Sequence, residues 1–265
     1  MSSLQLFKDF DPSSVDEGSV RSMDNRAKIV YLNHGPDKCP IILQTTTLRS
    51  IKGIENNDYG DGPTKYTMEL ALSPDDTEYQ KLAEFDQRII DIAATSKQKG
   101  INTKNGSVPN RELLEELYTP TLKIPRDKQT GEVSDRWPPT FKITIPQRRD
   151  TGEFDLELWD SSKNKIDVKD FITSGSSRNA QMTVIVKCTG VWVGGGKFGT
   201  TWKAHQVLVH AAGRQSIGSF AFINPESLLD RTTSGVLPQL DRQAPASALM
   251  APEEDDGDEY IDDSD

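Results

Sequence analysis

The chain has 265 residues, with 31 basic and 41 acidic side chains and a formal net charge of −10. Nine of the acids stand in the last thirteen residues, Glu253 to Asp265, where there is no Lys or Arg, so subtracting them leaves 32 acids against 31 bases and a body near neutrality. The acidity therefore describes a tail, and it does not exclude a polyanionic partner for the body; acidic tails of this kind commonly act as interaction segments.

The length suits one large domain or two small ones. No stretch approaches 18 consecutive apolar residues, so no membrane-spanning helix is predicted. Met1 to Phe10 has neither a charged n-region nor an apolar h-region, so no secretory signal is expected. Cys39 and Cys188 are too few for a disulfide framework and too far apart for a metal motif, which predicts two reduced thiols in an intracellular, reducing compartment.

In chain order, residues 1–26 read as a flexible lead-in, with 11–26 rich in Ser, Asp and Gly. Ala27–Asn33 (AKIVYLN) and Pro40–Leu48 (PIILQTTTL) read as strands, and Asn57–Pro63 as a turn. Thr64–Leu72 alternates, with Tyr66, Met68 and Leu70 on one face of a half-buried strand. Ser73-Pro74-Asp75-Asp76 then supplies a capping hydroxyl, a first-turn proline and acids for the positive dipole end. Leu82, Phe85, Ile89, Ile92 and Ala93 recur at steps of three and four, and Lys97, Lys99 and Gly100 close the pattern, which predicts one amphipathic helix over 74–97. A short helix follows at Asn110–Leu117. Thr121–Ile124, Thr140–Ile145 and Phe154–Trp159 are further strands, separated by turns at Asp127–Glu132 and Arg149–Gly152. Met182–Val193 and Thr200–His210 flank a Gly-rich turn at Gly194–Gly199 and predict a long hairpin with a mobile tip. Residues 226–252 read as a linker and 253–265 as a disordered tail that cannot bury apolar surface. Strands, one inserted helix and more strands predict a mainly β fold, an OB-fold-like Greek-key barrel, with a sandwich as the alternative.

From Phe171 to Pro225 there is no Asp or Glu, yet Arg178, Lys187, Lys197, Lys203 and Arg214 are present. All four tryptophans, Trp137, Trp159, Trp192 and Trp202, fall between 137 and 202, with Phe141, Phe154, Phe171 and Phe198 among them. Binding a single nucleic-acid strand without sequence preference needs cations along the backbone and aromatic faces for the bases. The hairpin offers both, through Trp192, Lys197, Phe198, Trp202 and Lys203. Against this stands the ordinary role of Trp and Phe in strands, which is core packing. Phe198, in the Gly-rich turn, is expected to be the least deeply buried.

The glycine run is no phosphate loop: Val191 and Phe198 stand where a Walker A needs Gly and Ser or Thr, and strands flank it where a helix is required. The three histidines, His34, His205 and His210, form no zinc spacing, and five residues of separation predicts opposite faces for His205 and His210. No GxSxG motif occurs. Neither catalysis nor a metal or cofactor is predicted, although the carboxylates leave a metal-dependent nuclease as one rival reading.

The segments ILQTTTL (Ile42–Leu48), YTPTLKI (Tyr118–Ile124) and above all VWVGGGKFGTTWKAHQV (Val191–Val207) resemble the single-stranded DNA-binding proteins of large eukaryotic DNA viruses. Those are related to the acidic-tailed OB-fold proteins of T-odd (podoviral) phages. The resemblance runs over residues 27–223, with the tail added. It implies an OB-fold at 27–225, binding of single-stranded DNA in replication, recombination or repair, and a tail that contacts partners such as a DNA polymerase. It also implies work at a viral replication site in the host nucleus or cytoplasm. The phage members end in an aromatic residue, whereas here the last residue is Asp265 and the aromatic is Tyr260.

The sequence thus predicts a non-enzymatic binding protein whose nucleic-acid-binding residues are Trp192, Lys197, Phe198, Trp202, Lys203, Lys187, Arg178, Arg214, Trp137 and Trp159. Its tail, through Glu253, Glu254, Asp255, Asp256, Asp258, Glu259, Tyr260, Asp262, Asp263 and Asp265, is expected to compete with DNA for the cationic groove and to dock partners. Homodimerisation is left open, and no membrane partner is expected. The alternative is a virion or scaffold protein-interaction module without DNA binding.

Overall fold

The computed structural model describes residues 4–23, 27–57, 65–95, 110–127, 129–134, 136–148 and 150–211. These all belong to a unit spanning Met1–Ser216; a second unit, Ile217–Asp265, lies outside the described residues, and so do Arg214 and every tail residue named above. In chain order the strands are β1 (Leu4–Leu6), β2 (Val15–Ser22), β3 (Lys28–His34), β4 (Ile42–Gln44), β5 (Leu48–Asn57) and β6 (Lys65–Ala71). Helices α1 (Thr77–Thr95) and α2 (Arg111–Leu117) follow, then β7 (Tyr118–Thr119), β8 (Leu122–Lys123), β9 (Thr140–Ile145), β10 (Glu157–Asp160) and β11 (Lys165–Ile166). Helix α3 (Val168–Thr173) leads into the hairpin of β12 (Gln181–Gly194) and β13 (Lys197–Ala211).

Five strands close a ring. β5 pairs antiparallel with β6, β6 antiparallel with β9, β9 parallel with β13, β13 antiparallel with β12, and β12 antiparallel with β5. Numbered within the ring, that order is 1-2-3-5-4-1, the Greek-key barrel of an OB-fold, which removes the edges an open sheet would expose. Helices α1 and α2 are inserted between the second and third ring strands. The predicted apolar stripe of α1 is its buried face, with Leu82, Phe85, Ile89, Ile92 and Ala93 all in the core. The helix starts at Thr77, a little later than the proline suggested, because the Asp76 carboxylate accepts from the Ser73 N–H at 2.6 Å and folds Ser73–Asp76 into a turn. α2 begins one residue later than the predicted Asn110, which caps it instead, with Asn110 Oδ1 accepting from the Leu113 N–H at 2.9 Å.

The hairpin is longer and its tip tighter than predicted. Only Gly195 and Gly196 turn the chain, with φ of 57° and 76°. Two consecutive left-handed residues make the type I′ turn that matches strand twist. The tip is also held on both sides, because Val191–Val193 pairs with β3 and Phe198–Gly199 pairs with β7. It is not the free finger that the glycine run suggested. A second correction concerns the histidines. Ile185 pairs with Gln206 but Val186 pairs with Ala204, so His205 is the extra residue of a β-bulge. The bulge reverses the in–out alternation, and His205 and His210 are both exposed.

Two other expectations change. The lead-in is part of the core: β1 pairs in parallel with β4, β2 pairs with β3, and Phe7 and Phe10 are buried. Phe7 meets Phe141 and Trp202 at ring separations of 6.3 and 6.4 Å, and Phe10 meets Phe85 at 6.2 Å. The segment Pro40–Leu48 is not one strand; Thr45, whose hydroxyl accepts from the Val184 N–H at 3.0 Å, separates β4 from β5.

Gly190 marks where β12 crosses β3. Its φ is +117°, and a Cβ there would run into the Val30 carbonyl oxygen. Gly190→Ala is therefore expected to destabilise the fold by about 1–3 kcal/mol, read as a fall in the urea midpoint at unchanged slope. An unchanged midpoint would show that the two strands can part at no cost.

Candidate nucleic-acid interface

Partners in a strand ladder share a face of the sheet, so register assigns the barrel's outer wall. Arg49 of β5 stands opposite Ala71 of β6, Glu69 of β6 opposite Lys142 of β9, Thr144 of β9 opposite Lys203 of β13, and Lys203 opposite Lys187 of β12. Arg49, Lys142 and Lys203 are exposed and Lys187 is half-buried. The wall over β5, β6 and β9, the ring's first three strands, includes the second-and-third-strand surface on which OB-folds typically bind oligonucleotides.

Trp137 stands at the entry to β9. It is 57% exposed, the largest exposure among the described large hydrophobic side chains, and the Arg136 guanidinium lies 5.6 Å from its ring centre. Beside it is a cavity of about 450 Å³ whose wall is mostly apolar, through Ile51, Pro125, Trp137 and Pro138, with the charged groups Lys52, Lys123 and Glu69 at its margin. Glu69 accepts from Lys123 Nζ at 3.4 Å. Lys52 also borders the neighbouring depression that holds Arg178, whose Nε donates to the Lys52 carbonyl at 3.4 Å. The result is an aromatic face and an apolar slot with Lys52 and Lys123 among its lining residues. A base can stack there while Lys52, Lys123, Arg136 and Arg178 meet phosphates.

Lys123 is delivered by a strap that a buried carboxylate holds. Asp86 of α1 accepts from Tyr118 Oη at 2.6 Å, from the Thr121 N–H at 2.9 Å and from the Leu122 N–H at 3.3 Å. Burial raises the Asp86 carboxyl above its usual range although each of these bonds pulls the other way, and it raises the Tyr118 phenol well above its usual range too. The same strap supports the hairpin tip: the Tyr118 ring lies 5.2 Å from that of Phe198, and Thr121 Oγ1 is 2.7 Å from Thr200 Oγ1.

The residues singled out from the sequence separate into groups. Trp137 and Arg178 line two separate depressions, both of which Lys52 borders. Trp159, Lys187 and Lys203 lie on the outward side of the hairpin and its neighbour β10. Trp202 and Phe198 are corrections. Trp202 is 2% exposed and packs edge-on against Phe85 and Phe141 at 5.4 and 5.6 Å, and Phe198 is 3% exposed behind Tyr118. Neither can stack on a base, because core aromatics fill these positions first. Trp192 is half-buried, and its indole lies across Gly199, where a Cβ would stand 2.9 Å from Cζ2. Lys197 is exposed at the tip. Sequence reasoning missed Lys52, Lys123 and Arg136, which fall outside the acid-free window. The one available signal was the adjacency of Arg136 and Trp137.

Burial pushes the Cys188 thiol up to about 12, and Cys39 is likewise unpaired, so Cys188 is a small core residue and no thiolate. Among the described residues no group of three or more His, Cys, Asp or Glu is placed to hold a metal ion, and no helix is long and apolar enough to cross a membrane.

No protein-family model matches the chain, and no curated protein matches it. Solved structures of similar shape include the single-stranded DNA-binding protein from bacteriophage Enc34 in complex with ssDNA. It is 8% identical, with a TM-score of 0.45 over 76% of this chain and 98% of that one. A C-terminal truncation of the Enc34 protein is 9% identical, with a TM-score of 0.43 over 75% and 96%. The single-stranded DNA-binding protein gp2.5 encoded by bacteriophage T7 is 11% identical, with a TM-score of 0.39 over 69% and 98%. At this distance the fold assignment rests on the chain's own ring order. The eukaryotic-virus half of the motif resemblance rests on the motif residues alone.

Proposed function

We propose that this protein binds single-stranded DNA without sequence preference, as a non-enzymatic coating protein of replication or recombination. The observation that carries the proposal is Trp137, an exposed indole beside a slot flanked by Lys52 and Lys123 on the outer wall of the β5–β6–β9 sheet. Stacking is indifferent to base identity, and lysines follow phosphates of any sequence. Duplex DNA keeps its bases stacked inside and offers that slot nothing to take up.

The deciding experiment titrates labelled single- and double-stranded oligonucleotides at two salt concentrations. Tighter binding of the single strand, falling linearly in log affinity with log salt, is expected. Each phosphate contact contributes about 0.7 to the slope, so Lys52→Ala should lower the slope by about that amount. Equal affinity for the duplex, or no dependence on salt, would overturn the proposal.

The tail enters the proposal through its charge. Nine carboxylates in thirteen residues compete with phosphate for the same cations, and the tail is then free for partner proteins such as a polymerase once DNA is bound. Deleting residues 253–265 should tighten DNA binding at low salt and make little difference at high salt; unchanged affinity at low salt would remove the tail from the mechanism.

A further inference from the structure

The outward face of the β12–β13 hairpin carries a second aromatic and cationic arrangement, away from Trp137. Three rungs can be followed along it. Leu208 faces Thr183 on β12 and Trp159 on β10; Gln206 faces Ile185; and Lys203 faces Lys187. At the first two rungs lies a cavity of about 410 Å³ bordered by Trp159, Gln44, Lys163, Thr183, Ile185 and Gln206. It presents one aromatic, two amides, a hydroxyl and one cation, and no carboxylate lines it. The nearby acids of β10 are engaged: Glu157 accepts from Gln206 Nε2 at 2.8 Å and from Lys165 Nζ at 3.4 Å, and Asp160 accepts from the Asn164 N–H at 2.8 Å.

Two features of this face bear on what it could hold. Lys163 holds a φ of +64° as the last residue of the β10–β11 turn, which the Asp160 N–H to Asn164 carbonyl bond closes, and it is exposed there. Lys187 and Lys203 stand directly opposite each other, and neither has an ion-pair partner among the described residues. A like-charged rung is unfavourable in an empty ladder and favourable once an anion bridges it. An exposed turn lysine and an unneutralised cationic rung on one face suit a polyanionic ligand.

The two surfaces are joined. Lys203 is in register with Thr144, Lys142 is the next outward residue on β9, and Lys142 faces Glu69 at the margin of the Trp137 cavity. Thr144 and Trp159 both pair along the edge of β13 opposite β12, five residues of β13 apart, which puts them at most roughly 17 Å apart along the strand. At the roughly 3.4 Å per nucleotide of a stacked strand, that is about five nucleotides.

We propose that the hairpin face is a second subsite for the same strand. Single-stranded DNA leaving the Trp137 cavity crosses Lys142 and the Lys187–Lys203 rung and sets another base against Trp159, with a phosphate at Lys163. This rests on the single-strand reading above and adds the path and the length of strand engaged.

The test uses the full chain and labelled oligothymidylates of about 4 and about 20 nucleotides, lengths either side of that span. Trp159→Ala and, separately, the exposed Lys163→Glu should weaken binding of the long oligomer by about tenfold and leave the short one unchanged. Trp137→Ala should weaken both. Long-oligomer affinity unchanged in both Trp159→Ala and Lys163→Glu would overturn the second subsite, and so would equal losses for short and long. If the unaltered protein binds neither oligomer, the single-strand reading itself fails, an outcome distinct from the others.

Discussion

Trp137→Ala is expected to weaken single-stranded DNA binding by about 5- to 150-fold, the equivalent of the roughly 1–3 kcal/mol that one base–aromatic stack contributes. The same substitution should leave thermal stability almost unchanged. At 57% exposure the indole buries little on folding, and substitutions at such positions usually shift stability by less than about 0.5 kcal/mol. The two readouts together make the prediction sharp, because a structural tryptophan would move stability first. Trp137→Phe keeps a ring face and should recover much of the affinity, whereas Trp137→Leu keeps apolar area without a π-face and should not. Fluorescence anisotropy with a labelled oligothymidylate, paired with a thermal melt, measures both. Affinity unchanged in the Ala variant would mean that the β5–β6–β9 wall is not where bases stack.

What the sequence made legible follows from how local each signal was. The stripe of α1 and the alternation of β6 are written within a few residues, and each is found in the structure where the pattern put it. Thr140–Ile145 is a strand with the predicted bounds, and the hairpin is present with two residues more on its first strand and four more on its second. Signals that depend on a distant partner were not readable. Phe198 sits beside a glycine turn and looked exposed, but its cover is Tyr118, eighty residues earlier in the chain. Phe7 and Phe10 have no periodicity around them, so nothing local announced that they enter the barrel core. A single bulge at His205 turned the alternation of β13 over, and that placed His205 and His210 on exposed positions together. The site behaved in the same way. Composition found the acid-free stretch and the cluster of tryptophans, but the cavity at Trp137 takes Lys52 from β5, Lys123 from the strap and Trp137 from the approach to β9, three segments with no common motif.

Trp202 is where the strongest sequence motif and the structure part company, and the difference can be measured. Its indole is packed among Phe7, Phe85 and Phe141, the meeting point of the N-terminal segment, α1 and the barrel. Trp202→Ala removes one of the largest fully buried side chains and should destabilise the fold by about 3–5 kcal/mol. That is a large share of the roughly 5–15 kcal/mol that holds a domain together. Trp202→Phe should behave quite differently. Trp202 Nε1 is buried with no hydrogen-bond partner among the described residues, and an unmade bond of that kind costs about 1–3 kcal/mol. Phenylalanine removes that donor while keeping most of the ring contacts, so the loss from the smaller ring is offset by the loss of the orphaned N–H. Denaturant midpoints should therefore fall steeply for Ala and by a small amount for Phe, and single-stranded DNA affinity of the Phe variant should match that of the unaltered protein. A Phe variant that folds normally but binds DNA weakly would return Trp202 to the interface and contradict its place in the core.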